Sequence, residues 1–189
     1  MSLSYECRQL IDSRDVDETG FCKASALLGH MQEAATQAAE GSAFGRDALL
    51  HSRNAFWMLT RIFFRLRRPL GWEEEITLRT WHRGGRGAVL YRDFDLLAED
   101  GPVGEVVSAW ELADVDSSRL LRLADIPELQ GTEGENCKTR KLTKLRRPAE
   151  LVLAERRPMH YSDTDINGHV NNTRYADFAC DAVGMPRPR

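Results

Sequence analysis

Residues 161–172 read Tyr-Ser-Asp-Thr-Asp-Ile-Asn-Gly-His-Val-Asn-Asn, and an apolar, helix-like run over 173–183 follows directly. Two aspartates, three asparagines, a glycine and a histidine thus crowd the approach to a helix. Polar groups so placed can meet the unpaired backbone N–H groups of a first helical turn. The same composition suits an ordinary cap in a turn-rich loop, because Asp, Asn and Gly favour such positions. Locally the two readings are balanced, and the rest of the chain has to decide between them.

An echo of this stretch lies near the N-terminus. Laying Asp15, Val16, Asp17, Glu18, Thr19 and Gly20 over Asp163, Thr164, Asp165, Ile166, Asn167 and Gly168 superposes both aspartates and the glycine without a gap, at an offset of 148 positions. The helices that follow also register, with Leu27 over Tyr175, Met31 over Ala179 and Ala34 over Ala182. Common turn residues alone would be weak evidence. With matching flanks they indicate two copies of one strand–turn–helix unit. The N-terminal copy has Thr19 and Phe21 where the C-terminal copy has Asn167 and His169, so only the C-terminal copy is equipped for chemistry.

Around these turns the periodicity is plain. Leu3, Tyr5, Cys7 and Ile11 alternate with Ser4, Glu6 and Arg8, which predicts a half-buried strand. Residues 21–40 set Leu27, Leu28, Met31, Ala34, Ala35 and Ala38 at helical spacing, a helix with one apolar stripe. His30 lies within it and reads as a packed or rim histidine. A Gly-containing connection leads to strands over 56–67, 75–81, 88–98 and 103–113, the last two joined at Asp100 and Gly101, a strong hairpin signal. One long helix followed by an antiparallel meander is an α+β pattern, and the economical packing curls the sheet around the helix. Trp57, Trp72, Trp81 and Trp110 read as core and rim area. Residues 151–160 are expected to form one more strand leading into the 161–172 stretch. In the helix after it, Tyr175, Phe178, Ala179 and Ala182 share a face.

Composition narrows the class. A hydrophobic fraction of 42% with 29% charged residues describes an ordinary globular protein. The net charge of −3 gives no global case for nucleic-acid binding. No apolar run approaches the roughly 18 residues of a membrane span. The N-terminal residues show neither a secretory signal nor an organelle leader. Cys7, Cys22, Cys137 and Cys180 form no CxxC pair, so a structural zinc site is not expected and free thiols in a reducing cytoplasm are. Residues 130–136 are linker-like, and Lys138, Arg140, Lys141, Lys144, Arg146 and Arg147 follow as a basic run. That run suits a solvated linker, or a docking patch for an acidic partner.

On these residues the sequence resembles the acyl-ACP thioesterases, double hotdog-fold enzymes. The similarity runs through Trp57 and Arg61, Trp72 to Ile76, Thr80 and Trp81, Arg92 to Phe94, Gly104 and Glu105, Ser108 to Trp110, and Arg119. Its most specific part is residues 163–172 with Tyr175. The resemblance implies an α+β tandem of two hotdog units, a long helix wrapped by an antiparallel sheet in each. Units are expected at 1–130 (acyl-chain binding) and 149–189 (carrying Asp-x-Asn-x-His), joined by a basic linker at 131–148. It implies hydrolysis of fatty acyl-ACP, in a bacterial rather than plastid type, with acyl carrier protein as partner and with no metal or cofactor. Asp165, Asn167 and His169 are the expected catalytic residues. Asp165 would act as nucleophile or base towards water, Asn167 would hold that carboxylate or the water, and His169 would share acid/base duty or position the thioester. Backbone N–H groups of residues 168–170 would polarise the carbonyl.

The C-terminal unit departs from the family's pattern. From Pro148 onward 42 residues remain, enough for one strand and the helix, so this hotdog is expected to be incomplete and to lack a further catalytic Glu or Cys. Cys180 is not its equivalent. An apolar face over 175–182 is then expected to be partly exposed, which favours association with another chain, a homo-oligomer included. Two other functions stay open at this point: an acyl-CoA thioesterase, and a non-catalytic module that binds acyl chains or the acyl carrier.

Overall fold

The computed structural model describes residues 4–130 and 142–184. Strand β1 (Tyr5–Leu10) alternates half-buried and exposed positions, as its period of two demands. The polar turn after it leads into α1 (Ala24–Ala39), then a short α2 (Arg46–Arg53) and four long strands. These are β2 (Ala55–Leu66), β3 (Glu75–Arg86), β4 (Val89–Ala98) and β5 (Gly101–Asp114). All pairings are antiparallel, in the order β1-β3-β4-β5-β2, so β2 is an edge strand.

The sheet wraps the apolar stripe of α1. Leu27, Met31, Ala34 and Ala35 are buried against Ile76, Leu78, Phe94, Leu96 and Val106 from the sheet's inner face, and Ala38 is buried as well. A second apolar cluster gathers Phe44, Leu49, Leu90, Leu112, Leu123, Ile126 and Leu129 under α2 and the two 3₁₀ turns after β5. Burying Leu27 and Met31 is worth about 1.5–3 kcal/mol each, and the small alanines beside them let α1 lie close on the sheet. Trp81 is buried, Trp57 and Trp110 are half-buried, and Trp72 is exposed.

Three expectations need correction. Helix α2 falls where only a connection was expected. It is one polar stretch of eight residues with Leu49 as its sole buried anchor, too short for periodicity to announce. Strand β3 does not stop at Trp81 but passes through a register shift between His82 and Gly85 and runs on to Arg86. Gly85 is required there, because a Cβ would sit 2.1 Å from the Val89 carbonyl oxygen. The third concerns 151–160, which pairs with no strand among the described residues. Leu151, Val152 and Leu153 are 62%, 92% and 67% exposed, so their β-type composition finds no ladder to join. Residues 131–141, with Cys137 and the first half of the basic run, lie outside the described residues. Lys144, Arg146 and Arg147 are exposed and irregular.

Helix α3 (Asn172–Val183) packs on α1, where Gly29 brings the backbone close to the Thr173 methyl. None of its residues is fully buried. Phe178 is half-buried beneath the guanidinium groups of Arg157 and Arg174, at 4.8 and 5.6 Å from its ring centre, while Tyr175, Ala179 and Ala182 are exposed. The partly bare apolar face expected over 175–182 is present.

Candidate active site

The turn before α3 is held by its own aspartates. Asp163 is buried, with its Oδ2 accepting the His160 N–H at 3.0 Å and its Oδ1 accepting Arg174 Nε at 2.9 Å. The His160 N–H and the Arg174 guanidinium together keep its carboxyl below the usual range. Asp165 N–H donates to the His169 carbonyl at 2.9 Å, Gly168 N–H to the Asp165 carbonyl at 3.0 Å, and Asn171 N–H to the Asp163 carbonyl at 2.8 Å. Gly168 adopts a φ of +72°, the left-handed conformation that such a turn needs. Asn171 caps α3, its Oδ1 accepting the Thr173 N–H at 2.9 Å.

The N-terminal copy repeats the backbone hydrogen bonds of this turn, though Lys23, which stands where Asn171 does, makes no side-chain cap. Asp17 N–H donates to the Phe21 carbonyl, Gly20 N–H to the Asp17 carbonyl and Lys23 N–H to the Asp15 carbonyl, at 2.9, 3.0 and 2.8 Å. Bridges Val16↔Cys22 and Thr164↔Val170 stand at equivalent positions. Asp12 N–H donates to Asp15 Oδ2 as His160 N–H does to Asp163. The repeat read from the sequence is therefore a repeat in geometry. The copies part at their outward groups. Asp15 pairs with His30 of α1 at 2.9 Å, so His30 is a packed histidine, whereas Asp163 pairs with Arg174 of its own helix.

The three candidate residues come together on one loop. Asp165 is half-buried, and its Oδ1 accepts the Asn167 N–H at 2.9 Å and the His169 N–H at 3.4 Å. Its Oδ2 has no protein donor among the described residues. Asn167 and His169 are exposed. The His169 ring lies 5.7 Å from Phe56 of β2, tilted by 49°. Asn167 Oδ1 is met by Arg46 Nε at 3.5 Å, a long contact. Of the backbone donors expected over 168–170, Gly168 and His169 turn inward to Asp165. The Val170 N–H has no acceptor among the described residues.

This loop forms one lip of a cleft of about 1530 Å³. Its walls are α1, through Gly29, Ala35 and Ala39, and β2, through Trp57, Leu59 and Ile62. Residues 165–173 close the near side. Arg46 and Phe56 were not singled out in the sequence, since neither belongs to a motif. Only the fold sets α2 and the start of β2 beside the turn. Among the described residues no group of three or more His, Cys, Asp or Glu is arranged to hold a metal, and no helix is long and apolar enough to cross a membrane.

Comparison with known proteins agrees with the fold. The sequence profile of the acyl-ACP thioesterase N-terminal domain matches residues 2–128, and that of the C-terminal domain matches 149–186. An oleoyl-acyl carrier protein thioesterase of Coriandrum sativum is 24% identical over 206 residues, covering 96% of this chain and 54% of the relative. A dodecanoyl-[acyl-carrier-protein] hydrolase of Cinnamomum camphora is 27% identical over 176 residues, covering 84% and 45%. The chain thus spans about half the length of the curated relatives it matches. An acyl-ACP thioesterase structure from Bacteroides thetaiotaomicron superposes with a TM-score of 0.75 at 24% identity, over 95% of this chain and 73% of that one. A 12:0-ACP thioesterase from Umbellularia californica gives 0.74 at 21%, over 97% and 76%. The α+β hotdog reading agrees with these neighbours, and of the expected incomplete second unit the described residues show the turn and α3.

Proposed function

Because this chain belongs to the acyl-ACP thioesterase family, we propose that it hydrolyses the thioester of a fatty acyl group carried on acyl carrier protein, releasing the free acid. The observation that carries this reading is the position of Asp165. Its carboxylate sits at the mouth of an apolar cleft, fixed through Oδ1 by the turn's own N–H groups, with Oδ2 left for substrate chemistry. The acyl chain lies in the cleft beneath α1, and the thioester carbonyl rests at the lip.

In this reading Asp165 Oδ2 takes a proton from a water molecule as the water oxygen attacks the carbonyl carbon. Negative charge gathers on the carbonyl oxygen, and the Val170 N–H is the turn's available donor for it. The tetrahedral intermediate collapses with loss of the carrier thiolate, which takes back the proton held by Asp165. His169, steadied by Phe56, orients the thioester, and Asn167 with Arg46 borders the path of the carrier arm. The division at 1–130, 131–148 and 149–189 follows, with the first unit binding the chain and the last supplying the turn. The basic residues Lys144, Arg146 and Arg147 suit an acidic carrier protein. A cytoplasmic setting fits the free thiols of Cys7, Cys22 and Cys180.

The test is hydrolysis of one acyl group presented on the carrier protein and on CoA, with the chain and an Asp165→Asn variant. Turnover of the carrier substrate that the variant loses supports the reading. Equal turnover by both proteins overturns the role of Asp165, and a preference for CoA overturns the carrier.

A further inference from the structure

The cleft does not end on aliphatic side chains. Its deep wall carries His82 of β3 and Arg92 of β4, a directly paired cross-strand couple. Both are buried, at 5% and 8% exposure. Arg92 Nη1 donates to Thr80 Oγ1 at 3.2 Å, and Thr80 Oγ1 donates to the Asp93 carbonyl at 2.9 Å. His82 Nε2 lies 2.7 Å from the Leu129 carbonyl oxygen, so that nitrogen carries the proton. Ser108 Oγ donates to the Arg92 carbonyl and accepts Trp110 Nε1, at 2.9 and 2.8 Å.

On either side of this polar seam the packing is apolar, with Leu78 and Phe94 in one cluster and Leu90 and Leu112 in the other. An aliphatic pair would therefore fit the surroundings better, since burying polar groups carries a cost that hydrogen bonds only offset. Among the described residues that line the cleft, none comes from β1, so β3 and β4 are its far limit. An alkyl chain entering at the β2 edge crosses β5 and reaches Arg92 after two strand spacings, about 10 Å. There a methyl terminus offers the guanidinium no acceptor, whereas a hydroxyl does.

We propose that Arg92, seated on Thr80 and flanked by His82, is a polar end wall that limits acyl-chain length and accepts a longer chain when its end carries a hydroxyl. The proposal rests on the thioesterase reading for its substrate, but not for its geometry. Its test uses saturated acyl thioesters of graded length and the ω-hydroxy form of the longest, with the wild-type chain, Arg92→Met and Thr80→Val. Thr80→Val keeps the guanidinium but removes its anchor, and circular dichroism establishes that each variant is folded. In parallel, the free acids displace a fluorescent fatty acid, which reads binding without turnover.

Beyond a limiting length the wild type is expected to lose about tenfold in kcat/KM, mostly through KM, and Arg92→Met to recover most of it. The ω-hydroxyl recovers it in the wild type and not in Arg92→Met. Identical length profiles in the wild type and the folded variants overturn the wall. If no thioester is turned over, a length limit in free-acid binding that Arg92→Met removes upholds the wall while the catalytic reading fails. Binding without a limit, or no binding of any acid, overturns it.

Discussion

Asp17 and Asp165 hold the same turn: the Oδ1 of each accepts the backbone N–H two residues on, from Thr19 at 2.8 Å and from Asn167 at 2.9 Å. The carboxylate proposed for catalysis therefore also has a structural duty, and the N-terminal copy shows that duty in isolation. In Asp17 it is completed by the Thr19 hydroxyl at 2.6 Å, and that hydrogen bond with the Thr19 N–H lowers the Asp17 carboxyl below its ordinary range. At position 167 an asparagine replaces the threonine.

The pair gives a clean separation of roles. Asparagine at either position still accepts the turn's N–H groups through its carbonyl oxygen but cannot take a proton. Asp165→Asn is expected to leave the fold intact and lower kcat/KM by about 10²–10⁴-fold. Asp17→Asn should leave it within about threefold. Steady-state hydrolysis of an acyl-ACP substrate measures both, and a larger loss in Asp17→Asn would show that the wrong copy had been taken as the site.

Arg174→Met tests the ion pair behind the turn. The His160 N–H and Arg174 hold the folded Asp163 carboxyl below the unfolded aspartate value of about 3.9. A depressed carboxylate contributes stability that is fully present above the unfolded value and is lost as pH falls through the folded one. The stability deficit of Arg174→Met relative to wild type should therefore be full at pH 7 and shrink in strongly acidic solution. Amide hydrogen exchange over 160–175 at neutral and acidic pH reads this, and a deficit that grows on acidification contradicts it.

Gly168→Ala and Asn171→Ala separate the shape of the turn from its cap. Nothing lies within 4 Å of a Cβ built on Gly168, so the alanine meets only the strain of its positive φ, about 1–2 kcal/mol. Asn171→Ala removes the acceptor for the Thr173 N–H and should cost about 1 kcal/mol of α3 stability. Because Gly168 sets the path from Asp165 to Val170, its variant should lose more activity than Asn171→Ala at similar cost in helicity. Far-ultraviolet circular dichroism and kcat/KM on the same samples decide the order.

The parts of this structure that follow from local rules were legible in the sequence. Alternation gave β1, the apolar stripe gave α1, Asp100 with Gly101 gave the β4–β5 hairpin, and the spacing of Asp163, Asp165 and Gly168 gave the repeated turn. What depends on distant partners was not. The composition of 151–160 favours a strand, but a strand exists only where another offers a ladder. Helix α2 exists because Leu49 and Phe44 find the cluster under β4 and β5. Arg46 and Phe56 carry no motif, and they reach the turn only through the way α2 feeds into the β2 edge. The polar couple of His82 and Arg92 is likewise visible only once β3 and β4 are in register.

Trp57 links the core to that approach and gives the last test. Its Nε1 donates to the Phe44 carbonyl at 2.9 Å, and its ring meets Trp110 edge-on at 6.5 Å and 86°. Phe44 and Gly45 lead directly into α2, where Arg46 faces Asn167. Trp57→Phe keeps an aromatic ring on the cleft wall but leaves the Phe44 carbonyl without its donor, a loss of about 1–3 kcal/mol for a buried acceptor. The denaturation midpoint in urea should fall accordingly. Activity should fall as well, because the start of α2 loosens next to the turn, but by less than for Asp165→Asn. A midpoint equal to that of the wild type would mean that the Phe44 carbonyl does not depend on Trp57, and that α2 is held by Leu49 alone.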